Sequence, residues 1–331
     1  MPDISFLLVF TLLLVLAAEF VNGWTDAPNA IATVVSTRVL SPSQAVVMAA
    51  VLNIVGAIVT GTAVAATIGK GIVSPDVIGL PVVAAAMLTI IVWSTITWRF
   101  GIPTSESHEL VAGLTGAGLA AAGPSVLLWE GWRKVIIGLG FSTLLGFTLS
   151  VILMVTLYWI LRRTRPATVS KYFSKLQIIS SAFMAFTHGS NDGQKFMGVF
   201  ALVLVLGGVT TQFSIPIWIM LICGAVMGLG TATGGWRIIR TMGFKLTKLE
   251  PVNGFAAETS AGLSILLASS LGIPLSTTHT INIAIMGVGA TKRLSAVRWG
   301  VAGNIVGAWI LTFPICGLLG YFFSWLLNMI F

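Results

Sequence analysis

Gly101-Ile102-Pro103-Thr104-Ser105-Glu106-Ser107-His108 recurs 171 residues further on as Gly272-Ile273-Pro274-Leu275-Ser276-Thr277-Thr278-His279. In the same register Gly116 and Gly118 meet Gly287 and Gly289. A second echo, at an offset of 166, sets Phe20, Gly23 and Asp26 opposite Phe186, Gly189 and Asp192, and Gly61-Thr62-Ala63 returns as Gly230-Thr231-Ala232. These offsets are about half of the 331 residues, so the chain is a duplication.

Composition sets the solvent. Hydrophobic residues make up 56% of the chain and charged ones only 8%, against roughly 25% charged in an ordinary soluble domain. Ten apolar runs, at 4–38, 43–69, 76–98, 102–122, 134–161, 177–208, 214–233, 254–271, 274–290 and 297–330, are long enough to span or re-enter a bilayer. The pattern predicts an all-α integral membrane protein of two inverted-topology repeats, each of about five segments. The repeats are expected at 1–161 and 177–331, joined by a basic linker at 162–176 that carries Arg162, Arg163, Arg165, Lys171 and Lys175. The first run lacks the basic flank and cleavage site of a signal peptide and reads as a retained span. Cys223 and Cys316 lie in apolar runs and read as small buried hydrophobes.

With the N-terminus outside and five crossings per half, fourteen Lys and Arg fall on the cytoplasmic side and three outside, with Lys195 inside the membrane. This positive-inside bias predicts a multi-pass plasma-membrane protein with both termini extracytoplasmic. An odd number of crossings makes the repeats antiparallel. The net charge of +8 therefore reports topology, not nucleic-acid binding.

Charges inside apolar runs are costly and mark function by default. Those here are Glu19, Asp26, Glu106, His108, Glu109, His188, Asp192, Lys195, Glu258 and His279. In Asn22-Gly23-Trp24-Thr25-Asp26-Ala27-Pro28-Asn29, Gly and Pro predict a broken helix, and Asp and Asn offer oxygen ligands for Na⁺ or a proton relay. His188-Gly189-Ser190-Asn191-Asp192 repeats that pattern. Each Gly-Ile-Pro segment reads as a re-entrant stretch that opens a helix, with Pro in the first turn and hydroxyls behind it. Open N–H groups and the positive dipole end favour an anion there. Two opposed helix starts bearing Thr104, Ser105, Ser107, Ser276, Thr277 and Thr278 would clamp one small oxyanion, as phosphate or sulfate is. The roles of Glu19, Glu258, His108 and His279 stay open at this level.

At these residues the chain closely resembles the inorganic phosphate transporter (PiT) family, in its bacterial low-affinity permease type. The carriers are Asn22 to Ala30 with Ser36-Thr37-Arg38, His188 to Lys195, and the two Gly-Ile-Pro segments. The resemblance implies inverted repeats, a transport domain moving against a scaffold, frequent homodimers and cation-coupled phosphate uptake. It implies that Asp26, Asn29 and Asp192, with Asn191 and Lys195 beside them, serve the coupling cation, as metal ligands if that cation is Na⁺. The hydroxyls of the Gly-Ile-Pro segments would hold phosphate.

Two departures from the family pattern matter. Glu106 stands where many members carry a hydroxyl, and Lys195 stands where sodium-coupled members tend to carry Asn. The latter points to H⁺ coupling or to entry of a neutral metal–phosphate complex. No G-x-S-x-G, H-E-x-x-H or nucleotide-binding loop occurs, which speaks against a hydrolase, ATP drive or any bound cofactor. A channel would need a continuous polar lining, whereas the acids cluster at two segments.

Overall fold

The computed structural model describes residues 5–74 and 78–331. Ile4 and residues 76–77, where two of the expected runs begin, lie outside the described residues. The first half forms α1 (Phe6–Ser36), α2 (Pro42–Val59), α3 (Ala63–Gly71), α4 (Leu80–Phe100), α5 (Glu106–Ala122) and α6 (Trp129–Leu161). The second forms α7 (Pro166–Leu206), α8 (Ile217–Thr233), α9 (Trp236–Arg240, continued by a π turn over Thr241–Lys245), α10 (Pro251–Ser270), α11 (Thr277–Lys292) and α12 (Trp299–Ile330). Element for element, the halves have the same order. No strand occurs among the described residues. Five of these helices, α1, α2, α4, α6 and α12, are long and apolar enough to cross a membrane, and α8 with α9 makes a further candidate bent by 58°. This is a multi-pass membrane protein.

Three expectations change. The run at 43–69 is two helices, because the chain turns at Gly61. Trp236–Lys245 is helical although its basic residues Arg237, Arg240 and Lys245 break any apolar run there. Finally, α1 and α7 are continuous through Asp26 and Asp192, where breaks were expected, and α7 already starts in the basic linker at Pro166.

The physical reason lies in what the glycines touch. A Cβ on Gly23 would sit 2.1 Å from the carbonyl oxygen of Met227, and one on Gly189 2.1 Å from that of Asn53. Gly230 and Gly56 answer from the other side, at 2.1 Å from the Phe20 oxygen and 2.0 Å from the Phe186 oxygen. The glycines let α1 press on α8 and α7 on α2, backbone against backbone, as small residues do between membrane helices. They also revise the internal match: the counterpart of Gly230 is Gly56, not Gly61.

Two apolar clusters hold the molecule, one at each end. α1 runs from the first, at Leu8, Val15 and Ala18, into the second, at Ile31 and Val34. α7 runs the opposite way, from Met184 and Ala185 in the second to Phe196 and Val203 in the first. The two helices are therefore antiparallel, and their polar middles lie together between the clusters. Matching elements make matching contacts. Gly101 and Gly272 both end a helix with positive φ (68° and 65°), which suits a residue without Cβ. The carbonyl of Gly101 accepts from Thr241 at 2.7 Å, and that of Gly272 from Thr67 at 2.8 Å.

Candidate functional site

The loops Gly101–Ser105 and Gly272–Ser276 are largely buried, and they aim the first turns of α5 and α11 at one another. His108 and its repeat mate His279 touch, with ring centroids 4.5 Å apart. His108 therefore touches its own counterpart in the sequence repeat. Trp309 stacks on His279 at 3.6 Å and donates its indole N–H to the Pro103 carbonyl at 2.9 Å, bracing both loops.

Around this contact a chain of polar contacts crosses between the halves. Thr278 donates to Asp26 at 3.1 Å. Asn29 donates to Thr278 at 2.9 Å and to Thr277 at 3.3 Å. Thr277 donates to Asp192 at 2.7 Å. Asp192 pairs with Lys195 one turn along α7. Lys195 Nζ reaches Ser107 Oγ at 2.5 Å and the Leu275 carbonyl at 3.1 Å, and Ser107 donates to that same carbonyl at 2.9 Å. All of these side chains are buried, Asp26 at 4% exposure and Lys195 at 2%. Buried charges persist only when paired and hydrogen-bonded, and this chain of contacts supplies both.

Of the residues expected from the sequence, Asp26, Asn29, Asp192, Lys195, Ser107, Thr277 and Thr278 meet here. The others do not. Ser276 caps α11, accepting from the His279 N–H at 3.1 Å. Thr104 is engaged with Thr97 at 3.0 Å, and Ser105 is buried with its hydroxyl unpartnered. Asn191 turns to α10, where it donates to Ser269 at 2.8 Å.

The structure also brings to the site His188, one of the intramembrane charges singled out above, and with it Asn53. His188 Nε2 lies 3.1 Å from Asp192 Oδ2, and its Nδ1 faces Asn53 Oδ1 at 3.1 Å. Asn53 is held in turn by its amide on Thr231 at 3.0 Å. Ligand atoms of Asp26, His188 and Asp192 all lie within 4.8 Å of one another, close enough to share one cation. The i, i+4 spacing of His188 and Asp192 on one helix was the available signal, because it puts both on one face.

Glu106 is the repeat mate of Thr277, but it makes no hydrogen bond to Asp26 to match the one from Thr277 to Asp192. It turns instead to α1 and α4, where Thr25 and Ser94 bond its Oε1. Its Oε2 is buried without a partner. Ser94 also donates to Glu109 at 2.5 Å. Away from the centre, Glu258 accepts from Thr33 at 2.5 Å, from Gln177 at 3.1 Å and from Ser180. Glu19 accepts from Asn22 at 3.0 Å.

A model of the phosphate transporter family matches residues 22–320. The chain belongs to that family. It is 46% identical over 314 residues to a probable low-affinity inorganic phosphate transporter of Rhizobium meliloti, covering 95% of this chain and 94% of that one. A protein of the same description in Bacillus subtilis is 42% identical over 331 residues, covering 98% and 99%. Among solved structures, a sodium-dependent phosphate transporter superposes with a TM-score of 0.90 at 26% identity, covering 99% of this chain and all of that one. Because these relatives are transporters, the buried Ser, His and Asp of this phosphate transporter family member belong to a carrier and not to an enzyme. The two Gly-Ile-Pro segments and the central polar contacts all fall within the span that the family model matches.

Proposed function

We propose that the chain imports inorganic phosphate across the plasma membrane by cation symport, through alternating access between two inverted halves, with both termini extracytoplasmic. The observation that carries this reading is the convergence of two helix starts with Asp26, Asn29, Asp192 and Lys195 in one buried cluster between two apolar cores. The N–H groups of Glu106, Ser107, Thr277 and Thr278, in the first turns of α5 and α11, have no helical partner, and with the hydroxyls of Ser107, Thr277 and Thr278 they form the anion clamp. Asp26, Asn29 and Asp192 hold the coupling cation. Because the cluster is buried on every side, access requires the halves to move.

Coupling follows from energetics. Carrying a divalent anion inward against 100 mV, inside negative, costs roughly 4.6 kcal/mol at about 2.3 per charge. Co-transported cations offset that cost. The ammonium of Lys195 beside Asp192 favours H⁺ over Na⁺ as the coupling ion, although the structural neighbour is described as sodium-dependent. Phosphate uptake into liposomes under a proton gradient, a sodium gradient and neither tests this. Uptake driven by the proton gradient is expected. Sulfate accumulation without phosphate uptake would overturn the substrate assignment and favour another tetrahedral oxyanion.

A second reading is favoured by the Asp26–His188–Asp192 cluster, which fits a divalent ion arriving with phosphate as a neutral complex. Under it, chelating external divalent metal stops uptake even with the gradients intact.

Selectivity for phosphate over sulfate rests on Glu106 in this account. Its open Oε2 accepts from the protonated oxygen that phosphate has and sulfate lacks at neutral pH. Hydrogen bonds to charged groups contribute about 1.5–3 kcal/mol. Glu106→Gln should therefore reduce the phosphate-over-sulfate preference by roughly 10- to 100-fold. Competition uptake measures it, and an unchanged preference removes Glu106 from recognition.

A further inference from the structure

Asn29 and Lys195 are repeat mates, 166 residues apart like Asp26 and Asp192, yet they treat their half-sites differently. In the first half, Asn29 commits its amide N–H₂ to Thr277 and Thr278 and leaves its Oδ1 buried and unpartnered, one helical turn from Asp26. That half offers a carboxylate and an open amide oxygen with no positive group of its own. At the second half-site, a carboxylate oxygen of Asp192, the main-chain carbonyl of Leu275 at 3.1 Å and, reaching over from the first half, the hydroxyl of Ser107 at 2.5 Å converge on one point. Carboxylate, hydroxyl and peptide oxygens are the ligands of a small hard cation. The point they surround is occupied by the Lys195 ammonium.

We propose that Lys195 is a tethered coupling cation. Its ammonium permanently fills the cation position of the second half-site, so that only the Asp26–Asn29 half-site exchanges its cation, and the carrier moves one cation fewer per phosphate than it would with an uncharged residue at 195. This deepens the symport reading above and rests on it.

The geometry separates a tethered cation from a plain salt bridge. An ion pair between residues three apart on α7 needs only Asp192. Here the ammonium also takes the Leu275 carbonyl and the Ser107 hydroxyl, which belong to the two helix starts that form the anion clamp. Lys195 thus ties α7 to the clamp as a bound metal ion would. A tethered charge neutralises Asp192 in every state of the cycle but does not cross the membrane. At 100 mV each absent monovalent cation removes roughly 50-fold from the attainable phosphate gradient. Lys195 therefore lowers accumulating power while removing dependence on a second external ion.

The test uses the purified full-length carrier and its Lys195→Asn variant, in detergent for equilibrium binding of radiolabelled sodium and in liposomes for the charge moved per phosphate, read from reversal potentials. The expected result is that the variant binds one more Na⁺ per carrier than the parent, gains sodium-stimulated uptake, and moves one more positive charge per phosphate. A variant that transports with the parental charge count and binds no added Na⁺ overturns the proposal. So does a variant whose change is confined to a higher KM for phosphate, since Lys195 would then grip the anion directly. If Asn at 195 does not fold, Lys195→Gln, which keeps much of the side chain's length without its charge, gives the same binding readout. The two readings fail separately. Added Na⁺ binding in a protein that moves no phosphate supports the tethered cation and sinks the transport assignment. Phosphate symport by both forms without added Na⁺ does the reverse.

Discussion

Asp192→Asn is expected to abolish phosphate uptake, by at least 100-fold, and also to weaken the folded carrier. Asp192 is the partner of Lys195, accepts from Thr277 and lies beside His188. Its loss leaves an ammonium at 2% exposure without a counter-charge. Removing one member of a buried pair costs about 3–5 kcal/mol, whereas removing both costs much less. The double variant Asp192→Asn/Lys195→Gln should thus recover most of the thermal stability of the parent, measured by unfolding in detergent, while uptake stays lost. If the double variant is no more stable than Asp192→Asn alone, the pair is not what holds α7 at this point. If the single variant still transports, the site is misassigned.

The second large effect concerns packing. Gly189→Leu and Gly230→Leu should give no folded carrier, because a Cβ at either position already falls 2.1 Å from a carbonyl oxygen of the facing helix. The Ala variants should each lose stability, at or above the upper end of the roughly 1–3 kcal/mol typical of overpacking, and should lose transport as well. At Gly189 the second loss follows because α2 carries Asn53, which positions His188 beside Asp192, and at Gly230 because α8 carries Thr231, which holds that Asn53. Pushing α2 off α7 moves that histidine. Gly140 and Gly303 are the controls. A Cβ there meets nothing within 4 Å, so Ala in those helix interiors should be neutral or stabilising by up to about 1 kcal/mol. Equal losses at buried and open glycines would refute the close-approach account.

Much of this was legible in the chain. Low charge and long apolar runs dictate a bilayer, since nothing else solvates such a surface. Two echoes at 171 and 166 residues reveal the duplication and single out Asp26, Asp192 and the two helix starts. These signals are local or periodic, and composition carries them directly. What only the tertiary structure decided is the pairing of groups far apart in sequence. Thr278 finds Asp26 across 252 residues and Asn29 finds Thr277 across 248. Which hydroxyls face the cluster, and which cap their own helix or turn away, depends on the crossings of α1 with α8 and α7 with α2. Those crossings are set by backbone contact at Gly23, Gly56, Gly189 and Gly230, which hydropathy does not register and which read in the sequence as helix breaks. The ammonium of Lys195 follows the same logic. Its charge was plain in the sequence, but the three oxygens around it come from α7, α5 and the loop before α11, and only the folded backbone brings those together.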